Sequence, residues 1–422
     1  MNSTSRRRYS PEMTPSSGIE FLVWLLIAAA SIAILAERLK IPYTVSLVLG
    51  GLLLGIIRIP MLSPLQAGHR PEWLTPDVIL ILFLPALVFE GSVKLDVRAL
   101  IRHSVPLLLL ANVGVLVAAL VTGYLVHWLI GLPVLIALLF GSIISATDPI
   151  SVLAIFRDLK VDKRLSLIME GESLLNDGTA VVLFGILLGA VAAEKFSVLQ
   201  GVEQYVLAVV GGAILGSVLG YFASRMTGTL DNPHIEITLT TILAYGSYLI
   251  AYHLHWSGVI ATAAAGLMLG NFGAKNAMSP GARTAVVSFW EYVSFVMNSL
   301  VFLLIGLAVH VRELLQNRTS VVVAIGAVLV GRVLSVYLLV PLSNRFAENI
   351  PFRWQHVAVW GGLRGALALA VALSLTSTFP CRDQILNLTY GVVIFSILVQ
   401  GLTIKPLLKV LKLANGSSIL PA

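Results

Sequence analysis

The sequence predicts an all-α, polytopic membrane protein with about thirteen transmembrane helices. Three observations predict it. Hydrophobic residues make up 57% of the 422 and charged residues only 12%, against roughly 45–50% and 25% in soluble domains. Apolar stretches near the roughly 20 residues that span a bilayer recur along the whole chain. The 28 basic and 21 acidic residues, net +7, are scattered over many short connections, which suits membrane orientation and not a nucleic-acid patch. Composition therefore excludes an ordinary soluble enzyme, a disordered chain and a nucleic-acid binder. The lone Cys381 excludes an internal disulfide and any cysteine-cluster metal or iron–sulfur centre.

Polar or Gly/Pro breaks divide the chain into spans near 19–37, 43–59, 76–92, 104–130, 134–156, 165–193, 202–224, 234–253, 257–271, 284–310, 319–342, 354–376 and 385–410. The ninth is short and the second and third are marginal, which leaves twelve spans open. Residues 1–18 read as a flexible tail, and 411–422 as a short C-terminal stub. The first span runs into Glu37, Arg38 and Lys40 with no small-residue cleavage pattern, so it reads as an anchor and not a signal peptide. With thirteen spans, one side holds 17 basic residues and the other nine. The richer side is expected in the cytoplasm. That places the C-terminus inside and the N-terminus outside, although Arg6, Arg7 and Arg8 pull the other way.

Charges at bilayer depth cost at least about 2.5–3.5 kcal/mol on insertion scales, so each is a functional candidate. Glu90 closes the apolar run from Leu80 to Phe89. Trp73, Trp128 and Trp354 read as interfacial belt residues, and His253 and His255 as anchors at a span end. In the fifth span, Ser145, Thr147 and Asp148 cluster at Pro149, whose missing N–H and ring clash free nearby carbonyls. A broken membrane helix persists only where it lines a cavity or is buried in protein; a plain proline kink is the structural alternative. In the twelfth span Gly361, Gly362 and Gly365 surround Arg364 and loosen the helix in a similar way. Interrupted helices in corresponding positions of two halves point to a secondary transporter built from inverted repeats, here two of six helices with the broken ones crossed. A buried Asp148 and Arg364 would compensate the positive and negative half-helix ends.

In the sixth span Ser173 and Asp177, four residues apart, share one helix face. Glu172 and Asn176 form a second pair turned by about 100°. Asp177 lies about 18 Å into the span, which is midplane depth. Its carboxylate, with a hydroxyl one turn earlier, offers hard oxygens to a small cation. Because burial disfavours a charged carboxyl group, it can also take up a proton. One site with two competing positive guests is the minimum needed for exchange. A salt bridge from Asp177 to Arg332 or Arg364 is the structural alternative, for which Glu172 is the better-placed partner.

The runs Thr147-Asp148-Pro149, Glu172-Ser173-Leu-Leu-Asn176-Asp177-Gly178 and Gly361-Gly362-Leu363-Arg364-Gly365-Ala366, with Leu84-Pro-Ala-Leu-Val-Phe-Glu90-Gly, resemble the monovalent cation/proton antiporters. Within these the chain is similar to the sodium/proton exchanger branch with the Asn-Asp motif. The resemblance implies that Asp177 carries both ion and proton, and that Ser173, Glu90 and the Thr147 backbone carbonyl complete the shell of a monovalent cation. It counts Asp148 among the ion- and proton-binding residues, in a supporting role at the crossing, and gives Glu172 and Arg364 a structural ion pair and Arg332 a role in holding the core. Asn176, in place of the second Asp of the electrogenic branch, implies electroneutral exchange. The resemblance also implies a homodimer in the cell membrane, with residues 104–193 and 319–410 forming a core that moves against a dimerisation domain from 19–92 and, with a linker, 202–310. No cofactor is implied beyond the transported Na⁺, or Li⁺, and H⁺. The chain departs from animal and plant members in its short stub, so tail-based regulation is not carried over. K⁺/H⁺ exchange is the alternative, because oxygen ligands at this spacing do not encode cavity size. A cation channel would conduct without coupled proton movement. A membrane hydrolase built on Ser173 or Ser257 lacks a matching intramembrane histidine.

Overall fold

The computed structural model describes residues 15–39, 42–57, 76–195, 197–274, 277–309 and 311–414, and the described residues contain helices and connections but no strand. Helices close all backbone hydrogen bonds within one segment, which is what a lipid-spanning chain requires. Among the described residues ten helices are long and apolar enough to cross a membrane, two shorter apolar ones lie at Tyr43–Ile57 and Gly258–Gly273, and Pro76–Lys94 adds a helix of 19 residues. Each of the thirteen expected spans is thus built on helix within the described residues. The first helix begins at Pro15, inside the stretch expected as a tail; proline is well suited to a first helical turn. Short helices at Val97–Arg102 and Val311–Gln316 fill two connections. The Asp96 side chain starts the former by accepting from Arg98 N at 2.8 Å. Residues 1–14 of the tail, 415–422 of the stub, Trp73 and the basic Lys40, Arg58, Arg70 and Lys275 lie outside the described residues.

The spans pack mainly in two sets. The fourth, fifth, sixth, eleventh, twelfth and thirteenth touch one another, as do the first three with the seventh to tenth. Small residues permit the closest approaches, as is usual between membrane helices. A methyl at Gly306 would lie 2.7 Å from Gly51 Cα, so the second and tenth spans meet nearly backbone to backbone.

Two spans are broken, as expected. The fifth stops at Ser145 and resumes at Ile150, because Pro149 has no N–H to continue the ladder. The twelfth stops at Trp360 and resumes at Ala366. The fourth, ninth and thirteenth each contain one π-helical turn, at Leu109–Gly114, Leu269–Gly273 and Ser396–Gln400. Such turns often accompany functional sites, and the last of these serves the crossing.

Candidate functional site

The two breaks meet. Asp148 N donates to Leu363 O at 2.7 Å, joining one interrupted strand of chain to the other. Arg364 sends Nη1 to Ser145 O at 2.5 Å and Ala146 O at 3.0 Å, on carbonyls that the proline break leaves open. The Asp148 carboxylate is held by the backbone amides of Ile150, at 3.0 Å, and Ala366. A guanidinium thus faces a helix C-terminus and a carboxylate faces two helix N-termini, the favourable sign at each end. From the thirteenth span, Ser396 Oγ accepts from Arg364 N at 2.8 Å and donates to Gln400 Oε1 at 2.7 Å. Gln400 Nε2 reaches Trp360 O at 3.2 Å, so the π-helical turn closes the polar groups on the far side.

The glycines of the twelfth break make room for this arrangement. A methyl at Gly362 would lie 2.8 Å from Arg332 Nε, and one at Gly365 would lie 2.8 Å from Asp148 Cγ. Neither position tolerates a side chain without displacing a charged partner.

The sixth span, unbroken over Lys163–Ala193, is fastened to the fifth by two residues. Ser173 Oγ donates to Thr147 O. Asn176 Nδ2 donates to Thr147 Oγ1 at 2.7 Å, and its Oδ1 accepts from Thr147 N at 3.3 Å. The expected Glu172–Arg364 pair does not form. Glu172 is instead held by Arg332, at 2.5 Å and 3.0 Å, and Arg332 also caps Ala358 O at 2.9 Å. The cause is local: Arg364 sits in a non-helical connection and is drawn to the open carbonyls beside it, whereas Arg332 projects from an intact helix. Both ions of the Glu172–Arg332 pair are buried.

With both arginines engaged elsewhere, no salt bridge reaches Asp177 among the described residues. Asp177 lines a cavity of about 130 Å³, together with Ser173, Thr147, Asp148 and Glu90. The Ser173/Asp177 face therefore looks into the cavity, while Glu172 and Asn176 look into packed protein. Glu90 does line the cavity, but its carboxylate is paired with Lys94 at 2.5 Å, one helical turn on. Trp354, expected at the membrane interface, is buried, with the Arg164 guanidinium 5.6 Å from its ring.

Several participants were not anticipated. Lys94 also reaches Glu291 at 2.8 Å, and Glu170 joins the cavity wall. Ser294 and Asn298 line the cavity from the tenth span, and the buried Asn298 Oδ1 has no hydrogen-bond partner among the described residues. A readable signal existed: Glu291, Ser294 and Asn298 fall at i, i+3 and i+7, one polar stripe on an apolar helix. Glu90 and Lys94 likewise fall at i, i+4.

Two discontinuous helices crossing beside an acidic cavity define a membrane transporter of the broken-helix class. The transmembrane sodium/hydrogen exchanger family matches residues 25–410, and the chain belongs to it. Its relatives include the Na⁺/H⁺ antiporter NhaH of Halobacillus dabanensis, 41% identical over 395 residues, 93% of this chain and 97% of that one. Another is the Na⁺/H⁺ antiporter ApNhaP of Aphanothece halophytica, 40% identical over 376 residues, 89% of this chain and 70% of that one. The fold is shared with the sodium proton antiporter MjNhaP1 from Methanocaldococcus jannaschii, with a TM-score of 0.78 at 21% identity, over 95% of this chain and 99% of that one.

Proposed function

We propose that this chain exchanges Na⁺ for H⁺ by alternating access, with both guests competing for Asp177. The observation that carries this reading is the position of Asp177, beside Ser173 on a cavity wall, with Arg332 and Arg364 both committed elsewhere. The names of the relatives support the choice of Na⁺. A cation in the cavity would take the Asp177 carboxylate, the Ser173 hydroxyl and the Thr147 carbonyl oxygen, with Glu90 as a further oxygen once Lys94 releases it. Asp148 supports the crossing and is not an ion ligand in this scheme, because backbone amides occupy its carboxylate.

Either guest neutralises Asp177. A neutral carboxyl can cross an apolar barrier, while the bare anion is held back by its desolvation cost. That difference couples the two fluxes. Asn176 carries no charge and is bound to Thr147, so one carboxylate changes state per half-cycle and exchange is one for one. The moving body is the set of spans fastened around the crossing, 104–193 and 319–410. The first three spans and the seventh to tenth provide the dimerisation side. We place the protein as a homodimer in the cell membrane, with the C-terminus in the cytoplasm.

The test is reconstitution in proteoliposomes. Wild-type protein should show Na⁺-driven proton flux that Asp177→Asn abolishes, with Na⁺, Li⁺ and K⁺ compared at several pH values. Flux retained in Asp177→Asn would overturn the assignment. A membrane potential built up by turnover would overturn the one-for-one stoichiometry.

A further inference from the structure

We infer that Lys94 is a tethered cation that competes with the transported ion for Glu90, with Glu291 as its alternative anchor, and so sets the apparent cation affinity. This rests on the exchange reading above and adds a specificity-determining residue to it.

The geometry is a three-membered bridge. Lys94 Nζ lies 2.5 Å from Glu90 Oε1 and 2.8 Å from Glu291 Oε1. Glu90 belongs to the cavity wall that also carries Asp177, and Glu170 faces the same space from the sixth span. The Lys94 and Glu291 side chains are 35% and 53% exposed, the Glu90 side chain 20%. The bridge therefore runs from the cavity wall outward, from the least exposed of the three side chains to the most exposed.

An ammonium group carries the same unit charge as the transported metal ion, on a flexible four-carbon stem. While it sits on Glu90, that carboxylate is not open to a second cation. Ion pairs this exposed are weak and exchange readily. What makes this one suited to yield is Glu291. When an ion takes Glu90, Lys94 keeps a carboxylate partner within its existing reach, so neither the ammonium nor Glu90 is left uncompensated. Glu90 and Lys94 share the third span, and Glu291 comes from the tenth, which packs on it. The swing from one carboxylate to the other thus needs only side-chain rotation. An arginine could not do this as easily, because its planar fork favours one fixed bidentate geometry.

Two separable consequences follow. Removing the ammonium frees Glu90 and strengthens cation binding. Removing Glu291 leaves Glu90 as the one carboxylate in direct ion-pair contact with Lys94 among the described residues, and weakens cation binding. Since Glu291 acts through Lys94, its loss should have no effect once Lys94 is gone. A general electrostatic effect of two surface charges would instead add.

The experiment measures the Na⁺ concentration giving half-maximal proton movement in proteoliposomes, at one pH and fixed ionic strength, for wild type, Lys94→Gln, Glu291→Gln and the double variant. Lys94→Gln should lower it about two- to fivefold, the range expected for an exposed pair, with the maximal rate little changed. Glu291→Gln should raise it, and the double variant should match Lys94→Gln. An unshifted or raised value in Lys94→Gln overturns the inference, and so does an intermediate, additive double variant. If Lys94→Gln does not fold, a Glu291→Gln value equal to or below wild type overturns it alone. Wild type that moves no protons on Na⁺ addition sinks the exchange reading and this one with it. Working wild type with failed shifts sinks only this one.

Discussion

Asn176 and Thr147 are joined twice, side chain to side chain at 2.7 Å and side chain to backbone at 3.3 Å. The residue before Asp177 thereby holds the first residue of the fifth-span break that offers an oxygen to the cavity. Replacing Asn176 with Ala strands the buried Thr147 N–H, which costs about 1–3 kcal/mol, and lets the Thr147 carbonyl drift from Ser173. We expect a lower unfolding temperature in detergent and a raised Na⁺ half-saturation. An unchanged half-saturation would separate this link from ion binding.

The buried Glu172–Arg332 pair predicts an asymmetric response. Arg332→Met leaves a carboxylate that is 2% exposed without its partner, a loss of about 3–5 kcal/mol. The double variant Glu172→Met with Arg332→Met should recover much of it, short of wild type because Ala358 O also loses its donor. Thermal unfolding of the three proteins decides this; equal losses in single and double variants would contradict the pairing.

Gly365 leaves no space for a side chain against Asp148. Gly365→Ala should cost about 1–3 kcal/mol by overpacking and push Asp148 away from the Ala366 amide, abolishing exchange. Gly246→Ala, where the added methyl meets nothing within 4 Å, should leave exchange intact. The comparison isolates the crossing from glycine loss in general.

His103 lies just outside the fourth span, near Arg164 and Glu348. Burial, and then the Arg164 guanidinium, push its pKa below the ordinary 6.5, with Glu348 opposing. Below 6.5 the unfolded chain therefore binds more protons at this position than the folded one, so stability rises with pH in that window. The contribution is complete above 6.5 and is lost as pH falls from there toward the lower folded value. On acidification from pH 7 to pH 5, wild type should lose unfolding temperature relative to His103→Gln. Parallel curves would count against it.

Much of the architecture could be read directly because a bilayer imposes a length and an apolar composition on every span. Pro149 and the glycines around Arg364 announced both breaks for a comparably local reason, since each removes something the helix ladder needs. The Ser173/Asp177 spacing likewise puts two oxygens on one helix face by periodicity alone. Partner choice was less legible. Arg332 and Arg364 were both buried candidates for Glu172, and only the non-helical path at Arg364, beside the Ser145 and Ala146 carbonyls, decided between them.

The amino-acid sequence alone determined where the helices lie, where two of them break and that Ser173 and Asp177 share one face at mid-span, because these depend on hydropathy, on proline and glycine, and on helical periodicity. Tertiary structure alone decided that Arg332 neutralises Glu172, that Lys94 also reaches Glu291 on another helix, and that Trp354 is buried beneath Arg164. Those outcomes depend on how distant helices rotate against one another, and electrostatic pairing between them is set by a few ångströms that no local pattern encodes.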